Sequence, residues 1–258
     1  MNSKIPRETL DPFEGLRVRV SGNAGTSRVE YTAEELQKIF SNPPLQTDRA
    51  VSVQAGYWLP LLALYHGARL EELTGLEVQD ISGSAQDMLL HIRENETRPR
   101  LKHRKFSQRR IPVHPKLIEL GFDHYVDAAR KAGIKVLFPS FARGATFGEE
   151  FVTHVKALIS PPEGRLVGMH CFRHNFETAR RNARMDPSAA NFITGRRIDV
   201  GSAALYGSEA GLPVLKEELS KIRYGLSHLP APAVTAEELH AQNSRRQHAA
   251  RTTNVSSP

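Results

Sequence analysis

The segment Met169–Tyr206, MHCFRHNFETARRNARMDPSAANFITGRRIDVGSAALY, gathers the residues best suited to chemistry. His170 and Arg173 stand one helical turn apart, so their side chains leave the same face of a helix. Gly195-Arg196 adds a third basic group and Tyr206 a phenol. Cations and an imidazole suit the nonbridging oxygens of a phosphodiester, and a phenol is a nucleophile toward its phosphorus. A His-x-x-Arg pair alone is common. A second basic element far upstream gives this one weight.

That element is Trp58–Asp80, WLPLLALYHGARLEELTGLEVQD. Leu59, Leu62, Ala63 and Tyr65 recur at helical spacing, Gly67 breaks the run, and Arg69 opens a second amphipathic stretch with Glu72, Leu73 and Leu76. Arg69 is therefore expected at a helix–helix corner, with its planar fork free to grip two phosphate oxygens. A lone carboxylate among arginines makes a poor metal site, so Glu72 is read as orienting Arg69 or another basic residue. Between the two segments, Arg98 to Arg110 holds seven Lys/Arg and no acid. Arg100, Arg104, Lys105, Arg109 and Arg110 are expected to contact the phosphates of a polyanion with little sequence information, although Ser107 and Arg109 also suit fixing a hairpin.

In order and approximate spacing, these motifs resemble the tyrosine recombinases, the phage-type integrases, over roughly Tyr31 to Leu229. The family pattern of Gly-x-Arg-x-x-Glu-Leu is similar to Gly67–Leu73, its hairpin lysine to Lys102, and its Ser-x-Arg-x-Ile-Pro to Ser107–Pro112. His170 to Arg173, Gly195-Arg196 and Tyr206 follow in the family's order. The resemblance implies a mainly α domain with a small antiparallel β-hairpin or three-stranded sheet. It implies a catalytic set of Arg69, Lys102 (Lys105 the alternative), His170, Arg173, Arg196 and Tyr206. It further implies strand breakage through a 3′-phosphotyrosyl link without ATP, metal or other cofactor, in the integration, excision or resolution of a mobile element. The partner would be double-stranded DNA, bound as a homo-oligomer, a tetramer on two duplexes. Three departures stand out: Arg196 where the family has His or Trp, one extra residue between Gly195 and Tyr206, and one extra step between Lys102 and Ser107.

The 258-residue chain is 40% apolar and carries a net charge of +7, which favours a polyanionic partner. Its single cysteine, Cys171, excludes an internal disulfide and fits a reducing cytosol. His170 and His174 beside it lack a further Cys or carboxylate at ligand spacing. The chain has no run of about 18 apolar residues and no signal-like start, so a cytoplasmic protein without a membrane span is expected.

Residues 1–28 read as a polar arm, 29–229 as the catalytic domain and 230–258 as a disordered tail. The resemblance then implies a catalytic domain without the family's N-terminal DNA-clamping domain. Within it, Thr32-Ala33-Glu34-Glu35 is a capping box opening a helix to Phe40. Helices are expected over about Thr47–Tyr65, Arg69–Gly75, Pro115–Leu120, Phe122–Lys131, the second part of Gly144–Leu158, His170–Asn182, Ser188–Thr194, Gly201–Tyr206 and Leu212–Ile222. Strands are expected near Val78–Ile81, Met88–Ile92 and Arg109–Pro112, the last paired with Arg100–Lys102.

Overall fold

In the computed structural model, residues 27–43, 50–101, 107–138, 145–196, 201, 206–208, 211–227 and 229 are described. Helix α1 (Ala33–Ser41) starts where the capping box predicts: the Thr32 hydroxyl accepts the Glu35 N–H at 3.2 Å and the Glu35 carboxylate accepts the Thr32 N–H at 2.8 Å. Helix α2 (Ala50–His66) lies at the centre. Its residues from Gln54 to His66 are all buried, so it presents apolar side chains all round rather than the one-sided stripe its spacing suggests. Short α3 (Leu70–Thr74) turns away from it after Gly67. Gly67 has φ +58°, and a Cβ there would lie 2.8 Å from Phe176, so only glycine lets the corner form.

A three-stranded antiparallel sheet follows, ordered β2 (Ile81–Ser82), β3 (Leu89–Ile92), β4 (Arg109–Pro112). Residues Val78–Asp80, expected as strand, form a 3-10 turn because the Asp80 carboxylate accepts the Glu77 N–H at 3.0 Å. Strand β4 pairs with β3 (Leu90↔Ile111, Ile92↔Arg109); of the hairpin expected with Arg100–Lys102, residues 102–106 lie outside the described residues. That register buries Leu90, Ile92 and Ile111 on one face, a stronger constraint than closeness along the chain.

Helices α4 (Pro115–Glu119) and α5 (Phe122–Lys131) match their expected bounds closely, and α6 (Ala145–Ile159) is longer than expected. Then come α7 (Met169–Asn182), α8 (Pro187–Thr194) and α9 (Leu212–Ser220). Of the helix expected over 201–206, residues 202–205 lie outside the described residues, as do the arm up to residue 26 and the whole of the tail from residue 230. Helix α7 packs on α2, and α9 covers β4 and α8. A two-residue parallel pairing of β1 (Ser27–Arg28) with β5 (Arg165–Leu166) was not expected. Next to it, Tyr31 anchors the start of α7. Its hydroxyl donates to Gly168 O and accepts the Gly168 N–H, while the Asn175 amide bonds both Tyr31 N and O. Among the described residues no helix is long and apolar enough to cross a membrane.

Two buried histidines make this fold acid-sensitive. His66 Nδ1 lies 3.2 Å from Leu62 O, and its Nε2 is 3.2 Å from the His114 N–H. Nε2 also lies 3.2 Å from Pro112 O; we assign the proton to Nδ1, which donates to Leu62 O and leaves Nε2 to accept from the His114 N–H. Burial first, then the neighbouring His114, hold His66 down at about 3; burial likewise holds His114 at about 4. Both folded values lie below the ordinary 6.5, so their stabilisation is complete above pH 6.5 and is lost as pH falls toward 3 to 4. Urea midpoints should fall from pH 7 to pH 5, approaching about 1.4 kcal/mol per pH unit for each imidazole. A flat profile across that window would show that the rings are accessible to protons.

Candidate functional site

The corner between α2 and α3, the N-terminus of α7 and the C-terminus of α8 meet around one carboxylate. Glu72 is buried, and its Oε1 accepts from Arg69 Nη1 at 3.0 Å and Arg109 Nη1 at 3.2 Å. Its Oε2 accepts from Arg109 Nη2 at 2.9 Å and from the Arg69 N–H at 3.0 Å. Burial alone would raise this carboxyl, but Arg109 and Arg69 outweigh it and hold Glu72 near about 2.

Arg173 leaves α7 toward the same place. Its Nη1 donates to Gly67 O at 2.5 Å and to Thr194 O at 2.7 Å, tying the α2–α3 corner to the end of α8. Arg69 reaches the adjacent carbonyl, Gly195 O, at 3.4 Å. Burial first, then Arg69 and Arg196, push Arg173 down to about 10. Gly195 closes α8 with φ +62°, and a Cβ there would stand 2.5 Å from Arg109 Nη1, so glycine leaves room for the arginine. Arg196 follows it, its side chain 44% exposed and its Nη2 2.9 Å from Glu177 Oε1.

A cleft of about 600 Å³ opens beside this cluster, with Arg69, Arg98, Arg100 and His170 on its walls. His170 is exposed in the first turn of α7, its ring edge-on to His174 with centroids 5.1 Å apart. Arg98 is not among the residues expected to act. It is buried, and its guanidinium donates to Glu72 O and Arg93 O, so it binds the α3 corner to the end of β3. The Cys171 thiol is buried and donates to Leu166 O at 3.5 Å.

Of the residues expected to contact DNA, Arg100 is exposed and Arg110 half-buried. Arg109 is a correction: its side chain is 0% exposed, and it spends its donors on Glu72, Ser107 O and Ile193 O. It is a buried strut and not a backbone contact. Lys102, Arg104 and Lys105 lie outside the described residues.

Tyr206 is placed differently from its expected surroundings. The residue is 7% exposed, and its hydroxyl donates to Asp186 Oδ1 at 2.9 Å. Its ring lies against Phe192 with centroids 6.0 Å apart. Burial first, then the Asp186 hydrogen bond and the charges of Asp186 and Glu218, push the phenol up to about 12. Arginines were expected to lower it; in this conformation acids raise it.

No family model and no curated protein matches the chain. Among solved structures, the integrase from mycobacterium phage Brujita is similar, with a TM-score of 0.50 at 14% identity. The alignment covers 81% of this chain and 61% of that one, so the chain spans about three fifths of the integrase's length. At that identity the likeness is one of architecture, and the mainly helical fold with its small antiparallel sheet is integrase-like.

Proposed function

We propose that this protein cuts and rejoins DNA, with Tyr206 as the nucleophile and a 3′-phosphotyrosyl link as the intermediate. The observation that carries this reading is the meeting of Arg69 and Arg173, from two separate elements, on the carbonyls of Gly195 and Thr194 that precede Arg196, next to the cleft that Arg69 and His170 line. Arg69, Arg196 and the remaining donors of Arg173 hold the nonbridging oxygens as charge builds on phosphorus. The Tyr206 oxygen forms a bond to phosphorus while the bond to the 5′ oxygen breaks. The phenol's proton leaves to His170 or water, and Lys102 protonates the departing 5′ oxygen. A second 5′ hydroxyl then reverses the attack, with no ATP or metal consumed. Arg100, Arg104, Lys105 and Arg110 contact the duplex backbone, and a homotetramer in the cytoplasm brings two duplexes together.

A second reading, DNA binding without catalysis, is favoured by one observation: Tyr206 is buried against Asp186. A duplex nicked just beyond the scissile phosphate, whose short 5′ product diffuses away, separates the two. A covalent protein–DNA band is expected. Salt-sensitive binding with no such band would leave the second reading standing.

A further inference from the structure

Glu177 lies on α7 four residues beyond Arg173, on the same face, and is buried with 6% exposure. Its Oε2 already has a cation, accepting from Arg180 Nε at 2.6 Å. Its Oε1 is reached by Arg196 Nη2 at 2.9 Å, an ion-pair contact that lies off the line of a hydrogen bond. The partners differ sharply in exposure: 44% for the Arg196 side chain against 8% for that of Glu177. Ion pairs reaching solvent contribute little to stability, so the pair is a weak reason for a second cation to crowd a carboxylate that Arg180 already neutralises. Position is a better one. Arg196 directly follows Thr194 and Gly195, whose carbonyls accept from Arg173 and Arg69, and like charges so placed repel it toward water.

Resting on the strand-breaking reading above, we infer that Glu177 is a positioning residue for Arg196. Its fixed carboxylate holds the guanidinium beside Arg69 and Arg173 against their repulsion, with the exposed edge of the fork turned to a bound phosphodiester. Because the contact is not a directed hydrogen bond, Arg196 can tilt onto a phosphate oxygen without leaving Glu177. Glu177 itself touches no substrate.

The test is the rate of covalent adduct formation on the nicked duplex, in wild-type and Arg196→Ala backgrounds. Glu177→Gln keeps the shape and an acceptor for Arg180 but drops the charge. In the wild-type background it should slow adduct formation by at least about tenfold, short of the roughly hundredfold or greater loss from removing a transition-state donor such as Arg196. In the Arg196→Ala background the same change should have no further effect, since a residue acting through Arg196 has nothing left to position. Glu177→Asp, which keeps the buried charge one methylene further away, should show a partial loss that also vanishes without Arg196. It carries the comparison if Glu177→Gln does not fold. Equal losses in both backgrounds would mark a merely structural residue and overturn the inference, as would no loss in either. A wild-type protein forming no adduct overturns the strand-breaking reading and this inference with it. A normal wild-type adduct with unimpaired Glu177→Gln overturns this inference alone.

Discussion

Glu72→Ala should destabilise the protein by about 3–5 kcal/mol, because it leaves the guanidinium of Arg109 buried with no counter-charge. Arg109 has no route to water: its side chain is 0% exposed, and its other donors are spent on Ser107 O and Ile193 O. Arg69, by contrast, is 22% exposed and can turn outward. Most of the loss therefore falls on the Arg109 arm. For a domain of this size the change corresponds to a fall in Tm of roughly 6–20 °C. Glu72→Gln preserves shape yet supplies one acceptor oxygen where two are used, so it should lie between alanine and wild type. The pH dependence gives a second check. Glu72 is held near about 2, below its ordinary 4.5, so its contribution is complete above pH 4.5 and disappears as pH falls toward 2. Wild type and Glu72→Gln should converge in stability across that acid window. A Glu72→Ala protein that melts with wild type would mean that Arg109 finds water or another acid, and the site would not be built around this carboxylate.

Local rules carry much of the structure. The capping box at Thr32 set the start of α1, Pro115 the start of α4, and the amphipathic Phe122–Lys131 run the whole of α5. Pairing between distant segments decides the rest. The pairing of 109–112 with β3 was not expected: what fixes its register is the apolar face shared with Leu90 and Ile92, which no local pattern reveals. Strands of two residues, such as β1 and β5, are too short to show any alternation.

The site divides the same way. Glu72 was read as orienting a basic residue, and it binds two, Arg69 and Arg109. Charge was visible in the run from Arg98 to Arg110; the side of the fold each charge faces was not. Arg109 and Arg98 both went inward, where carbonyls and Glu72 receive them. The i,i+4 spacing of Arg173 and Glu177 was available in the sequence, and it is the signal that could have found Glu177 as a partner for a cation near the arginine cluster.

The largest expected effect belongs to Tyr206→Phe, which should abolish the covalent adduct while leaving DNA affinity at fixed salt unchanged. One oxygen decides the chemistry, and it contributes little to binding dominated by phosphate contacts. Stability should fall by only about 1 kcal/mol for the lost bond to Asp186, because that carboxylate still caps α8 through the Ala189 N–H at 2.7 Å. With the phenol near about 12, only about one molecule in 10⁵ is ionised at pH 7. The residue must leave Asp186 and come under the arginines before it attacks. Asp186→Asn keeps a cap for α8 but removes the carboxylate charge, so the phenol should drop toward its ordinary 10 and leave its resting place more readily, and the adduct should form faster. In the wild type the neutral phenol stabilises the fold fully below pH 10, and that contribution is lost as pH rises through about 12. A difference titration of tyrosinate absorbance between wild type and Tyr206→Phe isolates this group and should show its midpoint there. An adduct that persists in Tyr206→Phe would place the nucleophile on another residue and remove Asp186 from the mechanism with it.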